Sequence, residues 1–152
     1  MMVKLLLITL SMTLSTFAFS ADLTVVGKDN VRYTVTLAQI ESLPVESMTT
    51  DLPWATSASK FEGVSLQDII AFLGLSAQDN VTFVALNNYQ ITIPFSDFER
   101  FSPIIAFKNN GQYMSIRSKG PYWLVYPLSR YPELDNTDYH AKMIWQLKEI
   151  HL

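Results

Sequence analysis

The chain has 152 residues, 49% of them apolar and 16% charged, with no cysteine and a formal net charge of −3. Zero cysteines exclude disulfides, thiolate catalysis, Cys-ligated zinc or iron–sulfur centres and a lipidated cysteine. The acidic balance argues against nucleic acid or an anionic membrane as partner.

Residues 1–20 read as a secretory signal, with Lys4 at the basic start, an apolar stretch from Leu5 to Leu14, and small residues at Ala18 and Ser20. An apolar stretch of about ten residues is too short to span a bilayer, and Ala18-Phe19-Ser20 predicts cleavage after Ser20. Residues 21–152 then form a single domain with ten basic and fourteen acidic side chains. A domain of that size folds without a staple. For a Gram-negative source its destination is the periplasm.

Ala21 to Val35 alternates around Gly27-Lys28-Asp29-Asn30 and predicts a hairpin. Leu37 to Leu43, capped by Thr36 and ended by Pro44, predicts a short helix. Val45 to Phe61 has no clear period and reads as a long loop around Pro53-Trp54. A second helix starts at the cap Ser65, buries Leu66, Ile69, Ile70, Phe72 and Leu73, and stops at Gly74. Val81 to Leu86 and Tyr89 to Pro94 are strands joined at Asn87-Asn88, and Ser96 to Arg100 is a turn or short helix. Ile104 to Phe107 runs into Asn109-Asn110-Gly111 and returns through Tyr113 to Ile116. A polar turn over 117–121 precedes the aromatic strand Tyr122 to Tyr126, Pro127 to Tyr139 is a polar loop, and Met143 to Leu152 is a final strand. The class is α+β, mostly strand.

The catalytic inventory is thin. His140 and His151 are the only histidines, and no His-x-Glu, His-Glu-x-x-His or Gly-x-Ser-x-Gly arrangement occurs. Asp135, Asp138 and His140 share a polar loop, where a solvated surface is the commoner meaning than a metal site. Aromatic side chains beside polar loops are abundant instead: Trp54, Tyr89, Tyr122, Trp123, Tyr126 and Tyr131, with Arg117, Lys119 and Arg130 among them. Stacking on Trp or Tyr, with cations at the polar edge, suits a flat heteroaromatic ligand. For Trp123 and Tyr126 core packing is an equal alternative. Trp145 is expected in the core, and Trp54, in an irregular loop, is the best ligand-contact candidate.

Thr36 to Pro44, Phe61 to Ile70, Tyr89 to Pro94, Asn110-Gly111 and Lys119-Gly120-Pro121, in that order, resemble the molybdopterin-binding domain of the sulfite oxidase family over nearly all of residues 21–152. The resemblance implies an α+β fold of mixed strands with a few short helices around a pterin cleft. The family's enzymes bind molybdenum through a cysteine, and the matching stretch here, Thr49 to Trp54, has none. The second domain that the family's eukaryotic enzymes carry for dimerisation is not expected here.

Gly120 to Arg130 is similar to the short, cysteine-free periplasmic regulators of this family, which bind a reduced, metal-free pterin. Those regulators contact the periplasmic domain of an inner-membrane protein that makes or degrades cyclic di-GMP. The resemblance places Trp54, Tyr89, Arg117, Lys119, Trp123 and Arg130 at the cleft and implies no catalytic residue, no molybdenum and no membrane insertion. Two rivals stay open. One is a molybdopterin-dependent oxidoreductase without the cysteine ligand, and the other is a protein-interaction module with a vestigial cleft.

Overall fold

A computed structural model describes residues 21–152. The expected signal segment, residues 1–20, lies outside them. Two sheets share one apolar core. The first is built from β1 (Leu23–Val26), β2 (Arg32–Val35), β5 (Asn80–Ala85), β6 (Gln90–Pro94) and β10 (Leu147–His151), in the order β2-β1-β10-β5-β6. Only β1 and β10 are parallel; every other neighbouring pair is antiparallel. The second sheet runs β3 (Glu46–Thr50), β4 (Ser59–Ser65), β7 (Ile104–Asn109) and β8 (Gln112–Tyr113), and β9 (Trp123–Val125) also pairs with β7.

Local chemistry explains most element ends. Hairpin turns carry Asn30, Asn88 and Asn110 at positive φ, the conformation that asparagine tolerates best after glycine. The helix α1 (Leu37–Ser42) opens on a reciprocal capping box between Thr36 and Gln39. In α2 (Leu66–Leu73), Ser65 accepts from the Asp68 amide, and Gly74 ends the helix at φ +65. The helix α3 (Phe95–Phe101) buries Phe98 and Phe101. Phe83 and Phe98 stack inside the core with Leu23, Val25, Ile93 and Ile150.

Three expectations need correction. The stretch 45–61 is not one loop, because β3 and the start of β4 pair within it as a hairpin. Its alternation was hidden because β3 is an edge strand, exposed over most of its length, so its polar side chains face solvent on both sides. Residues 127–139 hold a 3₁₀ turn at Pro132–Leu134 and the start of α4 (Thr137–Lys142), whose amides at 138 and 139 donate to the Asn136 side chain. That helix meets the core through Tyr139 and the half-buried Lys142 rather than an aliphatic stripe, and so carries no apolar period. The returning strand after Gly111 is only two residues long and gives way to a 3₁₀ turn at Ile116–Ser118. No helix among the described residues is long and apolar enough to cross a membrane.

The two sheets are joined where residues 143–147 run beside 119–124. Leu124 N donates to Ile144 O at 2.9 Å, Leu147 N to Tyr122 O at 3.0 Å, and Gln146 N to Lys119 O at 2.9 Å. Trp123 and Trp145 face each other across this seam as an antiparallel bridge.

At the β4–β7 contact the register slips between Glu62 and Gly63, and a Cβ on Gly63 would stand 2.3 Å from Ile105 O. Backbone cannot yield as a flexible side chain does. Gly63→Ala should therefore cost at least about 2 kcal/mol, read as a lower urea midpoint at unchanged slope.

Candidate functional site

All three tryptophans of the chain meet at the seam. Trp123, in β9, is buried; its Nε1–H donates to Met143 O at 3.0 Å and Phe61 meets its ring edge-on at 5.2 Å. Trp54 lies nearly parallel to it, with ring centroids 6.2 Å apart and planes 19° apart. Trp145 closes the third side, edge-on to both at 6.2 and 6.3 Å. Trp54 is 44% exposed and Trp145 42%. The expectation that Trp145 is a core residue is thus corrected. Ile144 and Leu147 turn inward beside it while its own ring faces the cluster and solvent. Tyr126, by contrast, is fully buried.

Two clasps fix the irregular segments that carry these rings. Asp51 N donates to Ser129 Oγ at 2.8 Å, Ser129 Oγ–H donates to Asp51 Oδ2 at 2.8 Å, and Ser129 N donates to the buried Thr50 Oγ1 at 3.1 Å. These bonds, with Leu52 buried and Ala55 N donating to Leu52 O, hold the turn that presents Trp54. The second clasp centres on Asp97 of α3, whose Oδ2 accepts from Lys142 Nζ at 2.7 Å and from Tyr126 Oη at 3.1 Å. Burial, reinforced by Asp97, pushes the Tyr126 phenol far above its ordinary range, so it stays a neutral donor. Lys142 also lies 4.0 Å above the Tyr139 ring. The result seats α4, and α4 carries His140 edge-on against Trp54 at 6.1 Å. His140 Nε2 is 2.7 Å from Asp135 Oδ1, and since a carboxylate only accepts, Nε2 carries the proton.

Beside the cluster lies an apolar pocket of about 300 Å³ lined by Tyr89, His140, Ala141, Met143, Ile144 and Trp145, among others. Tyr89 borders it and donates its hydroxyl to Ala141 O at 3.1 Å. A second hollow of about 320 Å³ lies on the other side of the His140–Asp135 pair, lined by Asp51, Leu52, Pro53, Ser129 and Asp135.

The sequence-derived candidates therefore divide. Trp54, Lys119 and Trp123 come together, with Lys119 Nζ 4.7 to 4.8 Å from the centroids of all three indoles. Tyr89 borders the adjoining pocket. Arg117 is exposed on the 3₁₀ turn two residues before Lys119. Arg130 is not brought to the cluster. Its guanidinium lies 5.5 Å over Tyr131, and it lines a separate groove with Glu46, Met48 and Phe101. Sequence reasoning missed Trp145 and His140 as members of the site. The one signal for Trp145 was its place next to the inward-facing Ile144 on a strand-like stretch, where neighbours point to opposite sides.

Residues 15–129 match the family described as the oxidoreductase molybdopterin binding domain. The chain belongs to that family. The molybdopterin-binding fold is also seen in the likeness to the crystal structure of the sulfane dehydrogenase SoxCD from Paracoccus pantotrophus, at a TM-score of 0.64 and 14% identity. That match covers 86% of this chain and 37% of the other, so this chain spans little more than a third of that protein's length. Among curated protein sequences none matches. The α+β class and the sulfite oxidase-like molybdopterin-binding fold expected from the sequence are both borne out.

The donor set does not fit the family's metal. The chain has no thiolate, and among the described residues no three His, Cys, Asp or Glu side chains converge to hold an ion. What the site offers is aromatic surface, one proton-bearing imidazole and one ammonium. Because Trp145 is half in solvent, Trp145→Ala should lower stability by only about 1 kcal/mol, against the roughly 3 to 5 of a buried ring. Thermal denaturation of the variant measures the difference.

Proposed function

We propose that the domain is a non-catalytic pterin-binding sensor acting in the periplasm. The observation that carries this reading is the half-exposed Trp54, backed by the nearly parallel, buried Trp123, beside an apolar pocket in a family fold whose metal ligand is missing. A flat heteroaromatic ring gains on the order of 1 to 3 kcal/mol from each stacking surface, and that gain does not need a metal. The pocket beside Trp145 is of a size that suits a bicyclic ring, and Tyr89 and His140 border it with polar groups. In this reading the ligand is a reduced, metal-free pterin, with the cations of the 117–119 turn facing its carbonyl edge.

Signal transfer would follow from linkage: the ligand shifts a conformational equilibrium only as far as it binds one state better. Trp54 sits on a turn tied through Asp51 to Ser129, and His140 on a helix tied through Lys142 to α3. Occupancy at the cluster is thereby felt on two surface segments. We take the receiver to be the periplasmic domain of an inner-membrane protein that makes or degrades cyclic di-GMP.

Protein purified from its native compartment should release a pterin on denaturation, seen by mass spectrometry and fluorescence, with no molybdenum by elemental analysis. Molybdenum in stoichiometric amount would return the protein to the oxidoreductases. Neither, together with no response to a titrated tetrahydropterin, would leave a protein-interaction module. Trp54→Ala should weaken tetrahydropterin binding by at least about 1 kcal/mol, roughly fivefold; unchanged affinity in a folded variant would remove Trp54 from the site.

A further inference from the structure

Lys119 occupies a position that ordinary packing does not explain. Its Nζ lies 4.8 Å from the Trp54 centroid, 4.7 Å from Trp123 and 4.8 Å from Trp145, so the ammonium caps the three indoles at nearly equal distance. Among the described residues it forms no ion pair. Burial alone holds its pKa below the ordinary lysine range; no carboxylate or hydrogen-bond acceptor acts on it. A lysine on a surface turn normally extends its ammonium into water, and this one turns it into a cage of rings.

The backbone beneath it is fixed in that posture. Lys119 sits at φ +70, a conformation that costs a non-glycine residue on the order of 1 kcal/mol and persists where surrounding contacts demand it. Its carbonyl accepts from Gln146 N at 2.9 Å, and the neighbouring Gly120 N donates to Ser115 O at 2.8 Å. Gln146 Nε2 adds a bond to Ile116 O at 2.8 Å. The turn is thus sewn to the segment that bears Trp145, and the freedom left to Lys119 is in its four-carbon side chain.

A box of three aromatic rings around one cation is the arrangement that recognises quaternary and alkylated ammonium groups. We propose that the three-tryptophan cage is a cation-binding site whose occupant is this chain's own Lys119, and that Lys119 is the specificity-determining residue that closes the site to small organic cations. With the ammonium in place a second cation meets like-charge repulsion and finds the ring faces taken. A neutral flat ring with an acceptor edge is favoured instead, stacking on the exposed face of Trp54 while the ammonium supplies a donor. This deepens the pterin-binding reading of the same cluster, and its test uses no pterin, so the two succeed or fail separately.

The probe is tetramethylammonium, followed by tryptophan emission, with the neutral isostere tert-butanol as control. Wild-type protein should show no saturable response to tetramethylammonium. Lys119→Ala and Lys119→Met, in which the cation is removed and the cage stays, should each bind it at least about tenfold more tightly than wild type and tenfold more tightly than tert-butanol. Equal response of wild type and variants, or equal binding of the neutral isostere, would overturn the proposal. Near-UV circular dichroism checks that the cage survives in each variant. Should both variants lose it, NMR of the wild type decides: the Lys119 ε-methylene protons should lie upfield of those of exposed lysines and return toward them in Trp54→Ala. Unshifted resonances in the wild type would show that Lys119 does not occupy the cage.

Discussion

The seam between residues 119–124 and 143–147 is the constraint on which the site depends. Three backbone hydrogen bonds run across it, and they join a strand of one sheet to the segment that becomes β10 of the other. Each net bond contributes only about 1 kcal/mol, but together they decide where Trp123 and Trp145 stand relative to one another and hold Lys119 between them. Trp54 completes the cluster from a different part of the chain, delivered by a turn pinned at Asp51 and Ser129. The site is therefore assembled from three separate stretches, none of which forms it alone.

Much of the fold was legible because local chemistry and global architecture agree. Asparagines at the hairpin turns, the Thr36 and Ser65 caps and the Gly74 stop each mark an element end with a mechanism that acts within a few residues. Illegible parts lack an apolar period: β3 is exposed over most of its length, and α4 meets the core through Tyr139 and Lys142, polar-tipped side chains that no apolar pattern announces. The choice of core or surface for the tryptophans was likewise undecidable locally. Trp123 is covered because Phe61 and Met143 reach it from other elements, and Trp145 is uncovered because no element lies outside it.

The cluster also shows how a family scaffold behaves when its metal ligand is absent. The rings, the pocket and the seam are held by packing and backbone hydrogen bonds and do not depend on a thiolate. In place of a soft anionic donor the site presents a cation shielded by aromatic faces. The ammonium stands there in a chain whose overall charge is negative.

The position of β10 in the first sheet has a temporal consequence. It pairs on one side with β1 and on the other with β5, so the sheet has a gap at its centre until residues 147–151 are present. During synthesis β1 and β2 on one side, and β5 and β6 on the other, exist only as separate hairpins, which are marginal in water. The closing contacts span nearly the whole sequence, and such long loops close slowly. Closure of the first sheet therefore waits for residues 147–151, and the aromatic cluster at the adjoining seam forms with it.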